Sequence, residues 1–303
     1  TVSIGPNDFD GSLAPLSALA DLALKFCPEK RFVITIDEFD EFPQEMYLRG
    51  SLAETFFANL RSLSRKKNIC MVFVGGENMP YVMDRQGQKL NNFSRFNLSY
   101  FSRDQEWADF QKLVRLPSEG ILLWHEDAIS AVHNTSNGNP YFAKLVCANV
   151  FLNAVKERDT DVTAGEVETA TDILVSGLGA NSFAHLWQDG IPKPMDEREP
   201  DIMRRSRALI AATRTLKKHA VFTRDDVIQN LDTIALSEGE LGSVLKEFVQ
   251  RGVISESSGK FTFVLPVFEK WLIESGAQQI ISDTLYEIYM GSWSWQLFLR
   301  KPA

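Results

Sequence analysis

The spacing of apolar residues divides the chain into segments of helix and strand length. Pro15 to Phe26 carries Leu16, Leu19, Ala20, Ala23 and Phe26 at helical spacing. It predicts a helix opened by Pro15 in its first turn and stopped by Pro28. Phe32 to Ile36 is a continuous apolar or β-branched run, as expected of a strand buried on both faces of a parallel sheet. It ends in Asp37-Glu38, with Asp40 and Glu41 just beyond Phe39. Ser51 to Leu63 repeats the helical pattern through Leu52, Phe56, Leu60 and Leu63, with Ser51 as the expected N-cap and Glu54 completing a capping box. Ile69 to Val74 is a second apolar strand, broken at Gly75-Gly76. Helix, strand, helix, strand, each strand ending in polar residues, predicts a parallel α/β sheet.

Further along, Phe96 to Tyr100 reads as a short strand, and Ser102 as the cap of a helix from Asp104 to Leu113. Helices over Glu126 to Asn134 and Tyr141 to Val155 are parted by Asn137-Gly138-Asn139-Pro140. That tetrapeptide suits a left-handed helix end followed by proline in the next first turn. Thr163 caps an acidic helix, SGLGANS (176–182) reads as flexible, and DGIPKPMDEREPD (189–201) as a charged linker. Helices then follow over Arg204 to His219, Thr223 to Leu231 and Ser237 to Arg251. Val253-Ile254 and Phe261 to Leu265 form a hairpin around Ser255 to Lys260, and Pro266 opens a last helix to Ile273. Three helices and a hairpin give the outline of a winged helix. The final stretch, with Tyr286, Tyr289, Trp293, Trp295 and Phe298, is aromatic enough to require packing against this chain or a partner.

Composition narrows the class. A chain of 303 residues, 44% hydrophobic and 24% charged, has the makings of two or three globular domains. A net charge of −8 argues against a protein coated in positive charge. Cys27, Cys70 and Cys147 are too few and too scattered for a disulfide framework or a Cys-rich zinc site, and suit a reducing compartment. His125, His133, His185 and His219 lack metal-ligand spacing. No apolar run is long enough to span a bilayer and no signal-peptide layout opens the chain, so a cytoplasmic location without membrane attachment is expected.

The chemistry concentrates at the strand ends, where open α/β sheets place their ligands. Two readings of Asp37-Glu38 stay open at this point. One is an acidic, solvated loop after a buried strand. The other is a nucleotide-hydrolase edge, in which the first acid holds Mg²⁺ through its water shell and the second orients the attacking water. Glu77 and Asn78 would lie beside these acids if the two strands are neighbours, within reach of a γ-phosphate. Alternatively, Asn78 caps the segment that follows.

The acidic strand end, the polar-tipped second strand, Ser94-Arg95-Phe96 and the following helix, in this order, resemble the AAA+ class of P-loop ATPases. Within it they are most similar to the signal-transducing STAND branch and the related archaeal-type and origin-recognition ATPases. The resemblance implies an incomplete α/β parallel-sheet ATPase core (1–116), a helical lid (117–178), a linker (179–203), a winged helix (204–275) and an aromatic tail (276–303). It implies that Asp37 and Glu38 are the Walker B acids, with Mg²⁺ held by Asp37 through water, Asn78 in the sensor-1 position, and Arg95 acting as a finger on a neighbour's nucleotide. Gly138, Asn139, Pro140 and Tyr141 would approach the base of ATP or ADP. Where the broader class carries a sensor-2 arginine, this chain has Tyr141, Phe142 and Lys144.

No segment matches G-x-x-x-x-G-K-[ST]; the nearest Gly-Lys, Gly259-Lys260, falls in the hairpin turn. The resemblance, over roughly residues 13 to 275, therefore lacks its most specific motif. The expectation is the C-terminal portion of a longer switch ATPase that couples nucleotide to lid and winged-helix rearrangement and to self-association or a protein partner, inactive without its phosphate loop. The alternative is a non-hydrolysing DNA-binding or assembly module of the same architecture. Glu238, Glu240 and Glu247 against Lys246 and Arg251 make the third helix a poor DNA-reading surface. The basic residues Arg204, Arg205, Arg207, Arg214, Lys217 and Lys218 lie on the first, supporting helix.

Overall fold

The computed structural model describes residues 10–42, 46, 50–217, 221–231 and 235–283; the aromatic residues from Tyr286 to Phe298, with Lys218 and His219, lie outside them. The described residues within Thr1–Asn97 and Gln188–Glu199 form one compact unit, and those within Leu98–Trp187 and Pro200–Ala303 a second.

The first unit contains α1 (Ala14–Phe26), β1 (Phe32–Ile36), α2 (Ser51–Ser64), β2 (Ile69–Phe73), α3 (Met79–Arg85) and α4 (Gly87–Leu90). The expected parallel pairing is present, with Phe32 opposite Ile69 and Ile36 opposite Phe73. Ile36, Met71 and Phe73 face a core of Phe39, Phe56, Phe57, Leu60, Tyr81 and Val82. The expectation of burial on both faces is wrong. Among the described residues the sheet has two strands and one covered face, so Val33, Cys70 and Val72 on the other remain exposed. Helix α1 is also oriented otherwise than its apolar spacing suggests. Only Ala20 is buried, Phe26 is 73% exposed, and the helix is tied to the link before β2 by Asn68, whose Nδ2 donates to Ala20 O at 2.9 Å, and by a Lys66–Asp21 ion pair. Gly50, rather than Ser51, is the N-cap of α2.

No strand forms at 96–100. A strand needs a neighbour for its ladder, and among the described residues none pairs with this stretch; Phe96 and Leu98 are 87% and 96% exposed, and the boundary between the units falls between Asn97 and Leu98.

The second unit begins with α5 (Trp107–Arg115), β3 (Leu123–Trp124), α6 (Glu126–Ser136), α7 (Pro140–Glu157), β4 (Asp161–Val162) and α8 (Ala164–Gly177). Thr163 caps α8 in a full capping box with Glu166. After α9 (His185–Gln188) come α10 (Glu199–Leu216), β5 (Phe222–Thr223), α11 (Arg224–Ile228), α12 (Glu238–Gln250), β6 (Ile254–Ser257), β7 (Lys260–Phe263) and α13 (Pro266–Trp271). The hairpin β6–β7 is joined by β5 into a three-stranded antiparallel sheet. The third strand is two residues long, too short for alternation to reveal it.

The stretches expected to be flexible (176–182) and a linker (179–203) carry regular structure and buried side chains. Helix α8 runs through Gly177, Ala180–Ser182 form a 3₁₀ turn, and Phe183, Leu186 and Trp187 are buried. Phe183 stacks on Phe142 of α7 at 5.0 Å between centroids and lies 4.8 Å from Trp271 of α13. Trp271 Nε1 donates to Leu178 O at 3.1 Å, and Lys270 pairs with Asp172 of α8 at 2.9 Å. The apolar spacer that read as a connector is thus the aromatic hinge of one core shared by α7, α8 and α10–α13. Phe183→Ala should cost about 3–5 kcal/mol, read as a lowered melting temperature, whereas Phe96→Ala, on an exposed ring, should leave it unchanged.

Candidate functional site

β1 and β2 end side by side, and their ladder continues past both strands: Val74 N donates to Ile36 O and Phe39 N to Val74 O, each at 2.9 Å. Between those bonds the first chain turns sharply. Glu38 adopts φ +51°, an uncommon conformation for a residue with a Cβ, and its N–H donates to Asp37 Oδ1 at 3.0 Å. The turn is driven by Phe39, fully buried and stacked on Phe73 with centroids 4.2 Å apart. Burying that ring leaves Asp37 and Glu38 exposed at the C-terminal edge of the sheet.

The next acid does the opposite. Asp40 is buried, its Oδ1 accepting from Gly76 N at 2.9 Å and its Oδ2 from Asn78 N at 3.2 Å. A Cβ on Gly75 would lie 2.5 Å from Asp40 Oδ1, so glycine is what lets the second strand's exit wrap around this carboxylate. Glu77 is half-buried and Asn78 buried. Asn78 stands at the N-cap of α3 without capping it; its Oδ1 instead accepts from Gly190 N at 3.0 Å. A main-chain N–H only donates, so the oxygen of the amide must face Gly190, and the Nδ2 donors lie at its other end.

Sequence reasoning placed Asp37, Glu38 and Asn78 at one edge, and the structure brings them there, but it missed Asp40 and Gly190. The usable signal for Asp40 was Phe39: an apolar residue between acids in a turn marks where the chain dips into the core. Arg95 is exposed and pairs with Asp84 of α3 at 3.3 Å. Gly138, Asn139, Pro140 and Tyr141 belong to the second unit. There Asn137 and Gly138 both take positive φ, Asn139 Oδ1 accepts from Tyr141 N and Phe142 N at 2.9 and 3.1 Å, and Pro140 opens α7. Phe101 N donates to Gly138 O at 3.0 Å, and His133 Nε2 lies 3.0 Å from Phe101 O. A Cβ on Gly138 would fall 2.1 Å from Phe101 O. Of the four, Tyr141 presents an exposed ring.

Mg²⁺ is commonly held by one or two carboxylates together with waters and substrate phosphates. Asp37 fits that part, with an exposed carboxylate of which one oxygen serves the turn. Among the described residues no group of three or more His, Cys, Asp or Glu is placed to hold a metal ion alone.

Asp40→Ala should strip the buried Asn78 N–H and the partly buried Gly76 N–H of their acceptor and cost about 2–4 kcal/mol; Asp37→Ala, at the exposed position, should change stability by less than about 0.5 kcal/mol. Paired urea melts distinguish them. Gly138→Ala combines a positive φ with a backbone clash and should lower stability by at least about 2 kcal/mol, measured in the same way.

No family model matches the sequence, and no curated protein matches it. Among solved structures, a Walker-type ATPase of Pyrococcus abyssi aligns with a TM-score of 0.51 at 15% identity, over 86% of this chain and 68% of its own. The RuvB Holliday-junction branch-migration motor of Thermotoga maritima aligns at 0.36 and 11% identity over 80% and 70% of the two chains. Cdc6p from Pyrobaculum aerophilum aligns at 0.29 and 14% over 91% and 86%. Below 0.5 the last two likenesses carry no weight. The first assigns the fold: this chain is folded like a Walker-type ATPase.

Proposed function

We propose that this chain belongs to a nucleotide-dependent switch of AAA+ and STAND type, and that the edge after β1 and β2 is its Mg²⁺ and hydrolysis side. The observation that carries the reading is the paired strand end: two acids held outward beside an amide whose donor end is free of the Gly190 bond. In it, Asp37 holds Mg²⁺ through water, Glu38 accepts a proton from or orients the attacking water, and Asn78 Nδ2 donates to a phosphate oxygen. When bound, Mg²⁺ supplies charge neutralisation for phosphoryl transfer. The left-handed backbone at Glu38 adds weight, since such conformations collect at functional sites. Arg95, released from Asp84, serves a neighbouring copy, and the Gly138–Tyr141 turn serves the base of ATP or ADP. Residues 117–178 act as the lid and 204–275 as a winged helix. No segment of the 303 residues matches G-x-x-x-x-G-K-[ST], the motif by which such a switch cradles phosphates.

The duplex-binding alternative loses ground on charge. Arg204 pairs with Asp201, Arg205 is buried against Glu247 and Trp187 O, and Arg207 donates to Ala235 O at 2.8 Å. These cations hold the fold, which leaves the helices after 199 suited to packing and switching. No helix among the described residues is long and apolar enough to cross a membrane.

In the protein expressed from its complete reading frame, Glu38→Gln should keep ATP affinity within about threefold and lower turnover by about 10²–10⁴-fold. Calorimetry with MgATP and a phosphate-release assay measure the two. Turnover equal to that of the parent protein would sink the assignment.

A further inference from the structure

Asn78 does more than line the edge; it fastens a second piece of chain to it. Gln188–Glu199 belongs to the first unit, although the residues on either side of it, Trp187 and Pro200, belong to the second. Ile191 and Arg198 are buried, and Arg198 Nε donates to Lys193 O at 2.9 Å, closing the segment on itself. Both ends are fixed. Arg251 donates to His185 O and Leu186 O, each at 2.9 Å, and Arg205 to Trp187 O at 3.4 Å, immediately before it. Helix α10 starts with its last residue. Near its beginning, Gly190 takes φ +66° and gives its N–H to Asn78 Oδ1.

We propose that Gln188–Glu199 is a strap latched by the Asn78 amide, through which the nucleotide state of the strand-end edge is passed along the chain to α10. This rests on the nucleotide reading of that edge. The direction follows from amide polarisation. Nδ2 donating to an anionic phosphate oxygen draws electron density toward Oδ1, making it the better acceptor for Gly190 N–H. The latch is therefore tighter with ATP bound and looser once the γ-phosphate has gone. Because the strap is continuous with α10, whose Arg205 is itself engaged with Glu247 of α12, a released strap frees the N-terminal end of that helix.

Hydrogen–deuterium exchange of peptide 188–199 tests this in the protein from its complete reading frame, with MgATP and MgADP binding measured separately by calorimetry. Without nucleotide, Asn78→Leu, which matches the shape and removes the acceptor, should raise exchange by about three- to tenfold, while Asn78→Asp, which keeps an acceptor, should stay within about twofold. With both nucleotides saturating, the parent protein should exchange this peptide about threefold more slowly with MgATP than with MgADP. Unchanged exchange in a stably folded Asn78→Leu would show that there is no latch. Equal exchange with two nucleotides that both bind overturns the relay and leaves the nucleotide reading standing. Failure of either nucleotide to bind overturns both. The comparison of nucleotides in the parent protein decides the relay even where a variant fails to fold.

Discussion

One carboxylate organises the candidate edge. Asp40 accepts from Gly76 N and Asn78 N at once, so the exits of two strands are joined by a charged acceptor rather than only by ladder bonds. Hydrogen bonds to a charged group contribute about 1.5–3 kcal/mol each, which is enough to hold a loop that the two-stranded sheet does not hold itself. Everything near it conforms: Gly75 has no Cβ because the carboxylate occupies that space, and the backbone of Asn78 is fixed before its side chain does anything. Phe39, one residue earlier, buries its ring in the core and forces the turn that exposes Asp37 and Glu38. The reactive-looking acids are presented by two buried residues.

The second unit depends on a different constraint, the close approach of the chain at Phe101 to the turn at Gly138. That contact leaves no room for a side chain, and it sets where α7 begins. Phe142, in the first turn of α7, then stacks on Phe183, whose other neighbours are Phe268 and Trp271. Helices α7 and α8 thus share one core with α10–α13, and a displacement of either set must repack the other.

What could be read in the sequence was local. The two strand segments of the first unit, the left-handed end of α6, the Asn139 cap, Pro140 at the head of α7 and the Thr163 capping box each depend on residues within a few positions of one another. What could not be read depended on distant partners. The run Phe32 to Ile36 is as apolar as a strand covered on both sides, yet it is covered on one, since composition records what a surface tolerates and not how many layers cover it. The stretch 96–100 has a strand's residues and no neighbour to pair with. Phe39 marks where the chain dips inward, but it is Gly76 and Asn78, more than thirty residues away, that single out Asp40 from Glu41 as the acceptor. The Pro- and charge-rich stretch before α10 read as a loose linker because its anchors, Asn78, Arg205 and Arg251, are remote in sequence.

Structural roles for Asn78, Gly138 and Asn139 do not weigh equally against a functional one. Gly138 spends its missing side chain on Phe101, whereas Asn139, whose Oδ1 caps the first turn of α7, keeps its Nδ2 donors beside the exposed Tyr141 ring. Asn78 is in the same position at the strand-end edge, because an amide has two ends of opposite character. Accepting from Gly190 fixes which end faces inward, and a donor fixed in advance avoids the ordering cost that a free side chain meets on binding. The same bond that gives Asn78 a place in the fold therefore makes it a better partner for a phosphate oxygen than an unattached asparagine would be.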